Sequence, residues 1–168
     1  MRYYSGFCFW NERELFSEYL DDSEFCIAGF SYGAQKALMN AVHTNKRVDK
    51  LQLISPAFFK NNPKFIKLQL NGFKKDKQKY IQTFMQNVKY PSNIDISKYM
   101  DDCIIDDLEE MFKFNWGLIE HLRNVKVEVF IGSEDKIIDV DLAVKFFKNY
   151  GDVYLIKGVG HILKGDEK

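Results

Sequence analysis

The sequence predicts an α/β protein with about five parallel strands, helices between them and a helical lid inserted over about residues 58–122. Three observations carry this. Short apolar runs alternate with helically spaced segments in both halves of the chain, the pattern of a parallel sheet with crossover helices. The middle breaks the alternation, with helical patterns and no convincing strand. A serine stands between two glycines where a buried strand turns into a helix, at Gly29-Phe30-Ser31-Tyr32-Gly33.

The elements follow in order. Arg2 to Gly6 is short and aromatic and reads as a strand. Asn11 to Leu20 places Leu15, Phe16, Tyr19 and Leu20 at helical spacing. Phe25 to Gly29 is a compact apolar run, as expected of a strand buried on both faces. Tyr32 to His43 is helical, with Ala37, Leu38, Ala41 and Val42 on one side. Val48 to Ile54 and Val125 to Ile131 are strands, the second closed by Gly132. Val140 to Tyr150 reads as a helix stopped by Gly151, and Val153 to Ile156 as the last strand.

A length of 168 residues suits one domain, 1–168, and 46% apolar residues suffice for its core. No apolar run approaches the roughly 20 residues that span a bilayer, and Met1-Arg2-Tyr3-Tyr4 lacks signal-peptide features. The expectation is a cytoplasmic protein without membrane contact. Zero net charge gives no general pull towards nucleic acid. Cys8, Cys26 and Cys103 are odd in number and widely spaced, which argues against a disulfide framework and a cysteine zinc site. Cys26 reads as a core residue. The three histidines show no metal-ligand spacing, so neither metal nor cofactor is expected.

G-x-S-x-G at a strand-to-helix turn is a nucleophile elbow. The turn is tight enough to strain the serine, and the positions two before and two after it must be small; here they are Gly29 and Gly33. The strain lifts the Ser31 hydroxyl above the sheet edge, where the next helix aims its free N–H groups. A serine needs a base at neutral pH. His43 lies at the far end of the following helix, and His121 lies in the insertion. His161 follows the last strand at the carboxyl edge of the sheet, where ligand loops gather, and is the base expected. Asp135, in Gly132-Ser133-Glu134-Asp135, is the acid expected to orient it; Glu134 and Asp139 are the competing carboxylates. An oxyanion site needs two donors. The Tyr32 amide is one, and the Phe7 amide, on the loop after the first strand, is the other. Cys8 has no apparent basic partner to make it a nucleophile.

With these pieces assembled, the chain resembles the α/β-hydrolase family over nearly its whole length. The matching residues are S-G-F at Ser5–Phe7, G-F-S-Y-G at Gly29–Gly33, G-S-E-D-K-I-I at Gly132–Ile138 and G-V-G-H-I-L at Gly158–Leu163. In size and texture it is similar to the short pimeloyl-[acyl-carrier protein] methyl ester esterases of biotin biosynthesis. That resemblance implies hydrolysis of the methyl ester to pimeloyl-ACP and methanol, with acyl carrier protein as partner and no cofactor. A thioesterase or another serine esterase is the alternative, and a non-catalytic binding module the second. The fold this implies is a minimal α/β-hydrolase. Its eight strands are reduced to five, and the one between the oxyanion loop and the nucleophile strand is gone. Crossovers stepping one way should put their helices on one face. The other face, left with the short C-terminal tail, should be covered by a second copy, giving a homodimer, or by a folded-back segment.

The insertion is polarised in charge. Seven lysines fall between Lys60 and Lys79 against Asp76 alone; seven acids fall between Asp95 and Glu110 against Lys98 alone. The two halves can pair with each other, or the lysines, with Lys64, Lys67, Lys74, Lys75 and Lys77 among them, can dock an acidic carrier protein. Phe65, Ile66, Leu68, Leu70 and Phe73 between them read mostly as the insertion's own core, with an acyl channel as the other use.

Overall fold

A computed structural model describes residues 1–60 and 62–166. Residue 61, within the expected insertion, and residues 167–168, the end of the expected domain, lie outside the described residues. Five strands, β1 (Arg2–Tyr4), β2 (Cys26–Phe30), β3 (Lys50–Ile54), β4 (Lys126–Gly132) and β5 (Asp152–Ile156), form one sheet in chain order. Every neighbouring pair is parallel. Tyr4, Gly29, Leu53 and Val129 stand level across β1 to β4. The loops leaving these strands therefore open on one edge.

The helices are α1 (Tyr32–His43), α2 (Pro63–Lys75), α3 (Lys77–Lys89), α4 (Ile105–Lys113) and α5 (Val140–Phe147). Their limits follow local chemistry. Pro63 occupies the first turn of α2, and the Asn62 side chain accepts from the Lys64 and Phe65 amides. Asp76 alone separates α2 from α3 and caps the second by accepting from the Lys79 amide. Asp139 caps α5 through the Leu142 amide.

One face of the sheet buries Ile27, Leu51, Leu53, Val127, Val129 and Ile131 against α1, α5 and a 3-10 turn at Trp116–His121. The last part of the 58–122 stretch thus returns to the sheet, and α2, α3 and α4 form the cap. Ile66 and Phe73 are buried with Phe7, Tyr32, Leu108 and Met111, so they are the cap's core, while Leu68 is exposed.

The opposite face corrects the expectation of bare apolar sheet. The β1–β2 connection crosses this side, not the side of α1. It forms a five-residue 3-10 turn, Glu12–Phe16, in place of the longer helix expected over Asn11 to Leu20. Spacing of three and four turns Glu12, Leu15 and Phe16 inward together. Leu15 and Phe16 pack with Phe30, Ile54, Phe130 and the tail residues Ile162 and Leu163. Beside this patch the face carries a polar ladder. Gln52 Nε2 donates to Glu128 at 2.9 Å, Lys126 pairs with Glu128 at 2.8 Å, and Lys50 pairs with Asp21 at 2.6 Å. A folded-back segment, the second of the two covers expected, and a hydrogen-bonded ladder lie over this face.

Cys8 and Cys103 form a disulfide, against the sequence expectation. Spacing cannot show this, because 95 residues separate them and the fold lays their segments side by side. The Trp10 amide donates to the Tyr99 carbonyl at 2.8 Å and the Asp101 amide to the Cys8 carbonyl at 2.9 Å. Burial pushes the Cys26 thiol up to about 11, as suits an inert core residue. Among the described residues no helix is long and apolar enough to cross a membrane.

Candidate active site

Ser31 sits between β2 and α1 at φ 54° and ψ −115°, a conformation that L-residues rarely adopt. Its backbone is held on both sides. The Ser31 amide donates to the Ile54 carbonyl at 2.9 Å, and its carbonyl accepts from Ala34 and Ala57, each at 3.1 Å. A Cβ on Gly29 would stand 2.1 Å from the Gly33 carbonyl oxygen. A Cβ on Gly33 would stand 2.0 Å from that of Tyr4. The second glycine is therefore demanded by the exit of β1, which runs hard against the start of α1. That contact sets the loop carrying Phe7 beside the elbow.

His161 Nε2 lies 2.9 Å from Ser31 Oγ, and His161 Nδ1 lies 2.6 Å from Asp135 Oδ2. Asp135 Oδ1 accepts from the Ile137 amide at 2.7 Å and the Ile138 amide at 3.3 Å, which fixes the carboxylate. With the carboxylate on Nδ1, the imidazole carries its proton there and offers the Nε2 lone pair to the serine hydroxyl. The His161 and Asp135 side chains are wholly buried, and Ser31 is 2% exposed. The Phe30 ring lies 5.1 Å from the imidazole and forms part of its dry wall.

The competing residues have other work. Glu134 is exposed beside Ser133, and Asp139 caps α5. His43 closes α1 with Nδ1 2.8 Å from the Met39 carbonyl, and His121 is exposed at the end of its 3-10 turn. Phe7 is buried, and its amide has no acceptor among the described residues. Tyr32 opens α1, so its amide has no carbonyl one turn back.

The Tyr32 side chain, which the sequence does not single out, ties the elbow to the cap. Its hydroxyl donates to Glu110 at 2.8 Å, with Asp107 at 3.3 Å. Burial first, then the bond to Glu110 and the nearby acids, push the phenol far above its ordinary range and keep it a donor. A cavity of about 270 Å³ lies between the cap and the loop after Asp135. Phe59, Phe65, Phe84, Phe112 and Ile137 wall one part of it and Gln69, Tyr80, Thr83 and Asn87 another, and among the described residues Lys136 is the charged group that lines it. Neither Ser31 nor His161 lines it, but Phe84 packs edge-on against Phe7 at 5.6 Å, so it adjoins the loop after β1.

No family model and no curated protein sequence matches the chain. Solved structures do. Over 96% of this chain and 87% of the other, it superposes on MenH from S. aureus with a TM-score of 0.65 at 12% identity. Bromoperoxidase from Bacillus anthracis gives 0.64 at 15% identity, over 82% of this chain and 60% of that one. An esterase from Exiguobacterium antarcticum gives 0.59 at 18% identity, over 80% and 58%. The chain thus spans under two thirds of the bromoperoxidase and the esterase. Its fold is that of the α/β-hydrolases, in a form with a five-stranded parallel sheet.

Proposed function

We propose that the chain is a serine carboxylic-ester hydrolase. The observation that carries this reading is the buried relay from Asp135 through His161 to Ser31 on a strained elbow. The esterase among the similar folds supports the same class. Ser31 Oγ attacks the ester carbonyl as His161 Nε2 takes its proton, and Asp135 stabilises the imidazolium. The Phe7 and Tyr32 amides hold the tetrahedral oxyanion. His161 then protonates the leaving alkoxide, and water repeats the cycle on the acyl-enzyme. Because Ser31 is nearly inaccessible, substrate enters only when the cap shifts.

The substrate we propose is the methyl ester of a pimeloyl group on acyl carrier protein. The family resemblance, the partly apolar cavity beside the oxyanion loop and the lysines of α2 and α3 support it. Lys64, Lys67, Lys74, Lys75 and Lys77 are all exposed. Lys77 pairs with Asp102 across the cap at 3.0 Å. The other four have no carboxylate within 4 Å among the described residues. Two of the acids of α4 are engaged elsewhere: Glu109 pairs with Lys113, and Glu110 accepts from the Tyr32 hydroxyl. These exposed lysines offer a basic patch to an acidic partner.

Incubation with methyl pimeloyl-ACP should remove the methyl group, read as the corresponding mass loss with release of methanol. An intact ester alongside turnover of a simple nitrophenyl ester would restrict the reading to the general class. Lys74→Glu combined with Lys75→Glu should raise KM for the carrier-bound ester about tenfold, since like charges now meet across the docking face. KM for a small soluble ester should stay unchanged. Equal effects on both substrates would refute docking on the cap.

A further inference from the structure

Glu12 belongs to no part of the relay, yet its side chain is wholly buried beneath the oxyanion loop. Carboxyl groups are almost never fully buried without a partner charge. Among the described residues no cation lies within 4 Å of this one. Oε1 accepts from the Gly6 amide and from the Tyr3 hydroxyl, each at 3.0 Å. Oε2 has no hydrogen-bond partner. Burial first, then the charge and hydrogen bond of Glu12, raise the Tyr3 phenol far above its ordinary range, so it stays a donor.

We propose that Glu12 is a positioning residue for the oxyanion site: by gripping the Gly6 amide it anchors the Ser5–Gly6 peptide, from which the next peptide, carrying the Phe7 N–H, is turned. The inference rests on the ester-hydrolase reading above. Glycine turns freely about both backbone torsions. Gly6 is caught on each side, its N–H by Glu12 and its carbonyl by the Phe9 amide at 3.1 Å. The first bond holds the Ser5–Gly6 peptide and the second the Gly6–Phe7 peptide, so together they fix the two Gly6 torsions between them and hence the direction of the Phe7 N–H. Downstream the loop is tied to the cap through Cys8, by the disulfide and by the Asp101 amide. Glu12 supplies the tie on the upstream side. Losing an oxyanion donor outright costs about 10²–10³ in kcat, and leaving one loose costs part of that.

The test uses the full chain with Glu12→Ala, Glu12→Asp and Glu12→Gln, assayed on p-nitrophenyl butyrate, with amide exchange at Gly6 followed by NMR. Glu12→Ala should lower kcat about ten- to a hundredfold, with KM within about twofold of wild type. Glu12→Gln keeps a carbonyl oxygen for both donors and should recover most of the rate. If the alanine variant does not fold, Glu12→Asp replaces it, because its carboxylate falls one methylene short of Gly6. It should show the same loss of kcat, with Gly6 exchange at least about tenfold faster, as expected of an amide that has lost its acceptor. An unchanged kcat, a loss confined to KM, or a glutamine variant as slow as the alanine one would each overturn the proposal. Failure of the wild type to turn over ester or to take up a fluorophosphonate probe would instead strike the hydrolase reading itself.

Discussion

Replacing Ser31 with alanine should abolish fluorophosphonate labelling and lower kcat/KM on an activated ester by about 10⁴- to 10⁶-fold. Without the hydroxyl there is no acyl-enzyme, and only the oxyanion amides and substrate binding remain, worth a residual of about 10³–10⁴ over water. The fold should be kept at a moderate cost in stability. Alanine keeps the Cβ, so the strain at φ 54° is neither relieved nor increased. The His161 Nε2 left without the Ser31 hydroxyl costs about 1–3 kcal/mol, or about 2–12 °C in Tm at this size. A variant that keeps labelling or more than about a tenth of the activity would place the nucleophile elsewhere and end the serine-hydrolase reading. A wild-type chain that never labels would point to a binding module.

The elbow is legible in the sequence because local sterics dictate it. A Cβ at Gly29 would strike the Gly33 carbonyl, a requirement that falls within five consecutive residues, whereas the demand for glycine at position 33 comes from the Tyr4 carbonyl of β1. The strands are legible for a similar reason, since their apolar runs are short and clearly bounded. The second face of the sheet was also written in the sequence, as the alternation of Lys50 with Gln52 and of Lys126 with Glu128. Weighting the apolar residues between them hides it and suggests a face needing a partner. Other features depend on contacts between distant segments. The Cys8–Cys103 pair exists because a cap segment runs beside the oxyanion loop. Glu12 lies in Asn11-Glu12-Arg13-Glu14, which reads as a solvated run; only the inward turn of Leu15 and Phe16 carries it into the core.

The carboxylate of Asp135 is where the relay should prove most sensitive to a change of one atom. In Asp135→Asn one oxygen becomes an NH₂ group, and the surroundings decide which. The Ile137 and Ile138 amides can only donate, so they retain the oxygen where Oδ1 now stands. The NH₂ then faces His161 Nδ1, in the place of the oxygen now 2.6 Å away. Nδ1 must become the acceptor, and the imidazole proton moves to Nε2. That nitrogen points at Ser31 Oγ and can no longer take its proton. The opposite orientation would set an NH₂ against two N–H groups and leave all of them unpaired in a buried site. The expected loss is about 10⁴ in kcat. Tm should move by only a few degrees, because the loop keeps both of its backbone ties. Asp135→Ala would remove those ties as well and confuse chemistry with unfolding. An asparagine variant within about tenfold of wild type would show that Asp135 does not set the histidine tautomer, leaving its carboxylate a structural clasp for the Ile137–Ile138 turn.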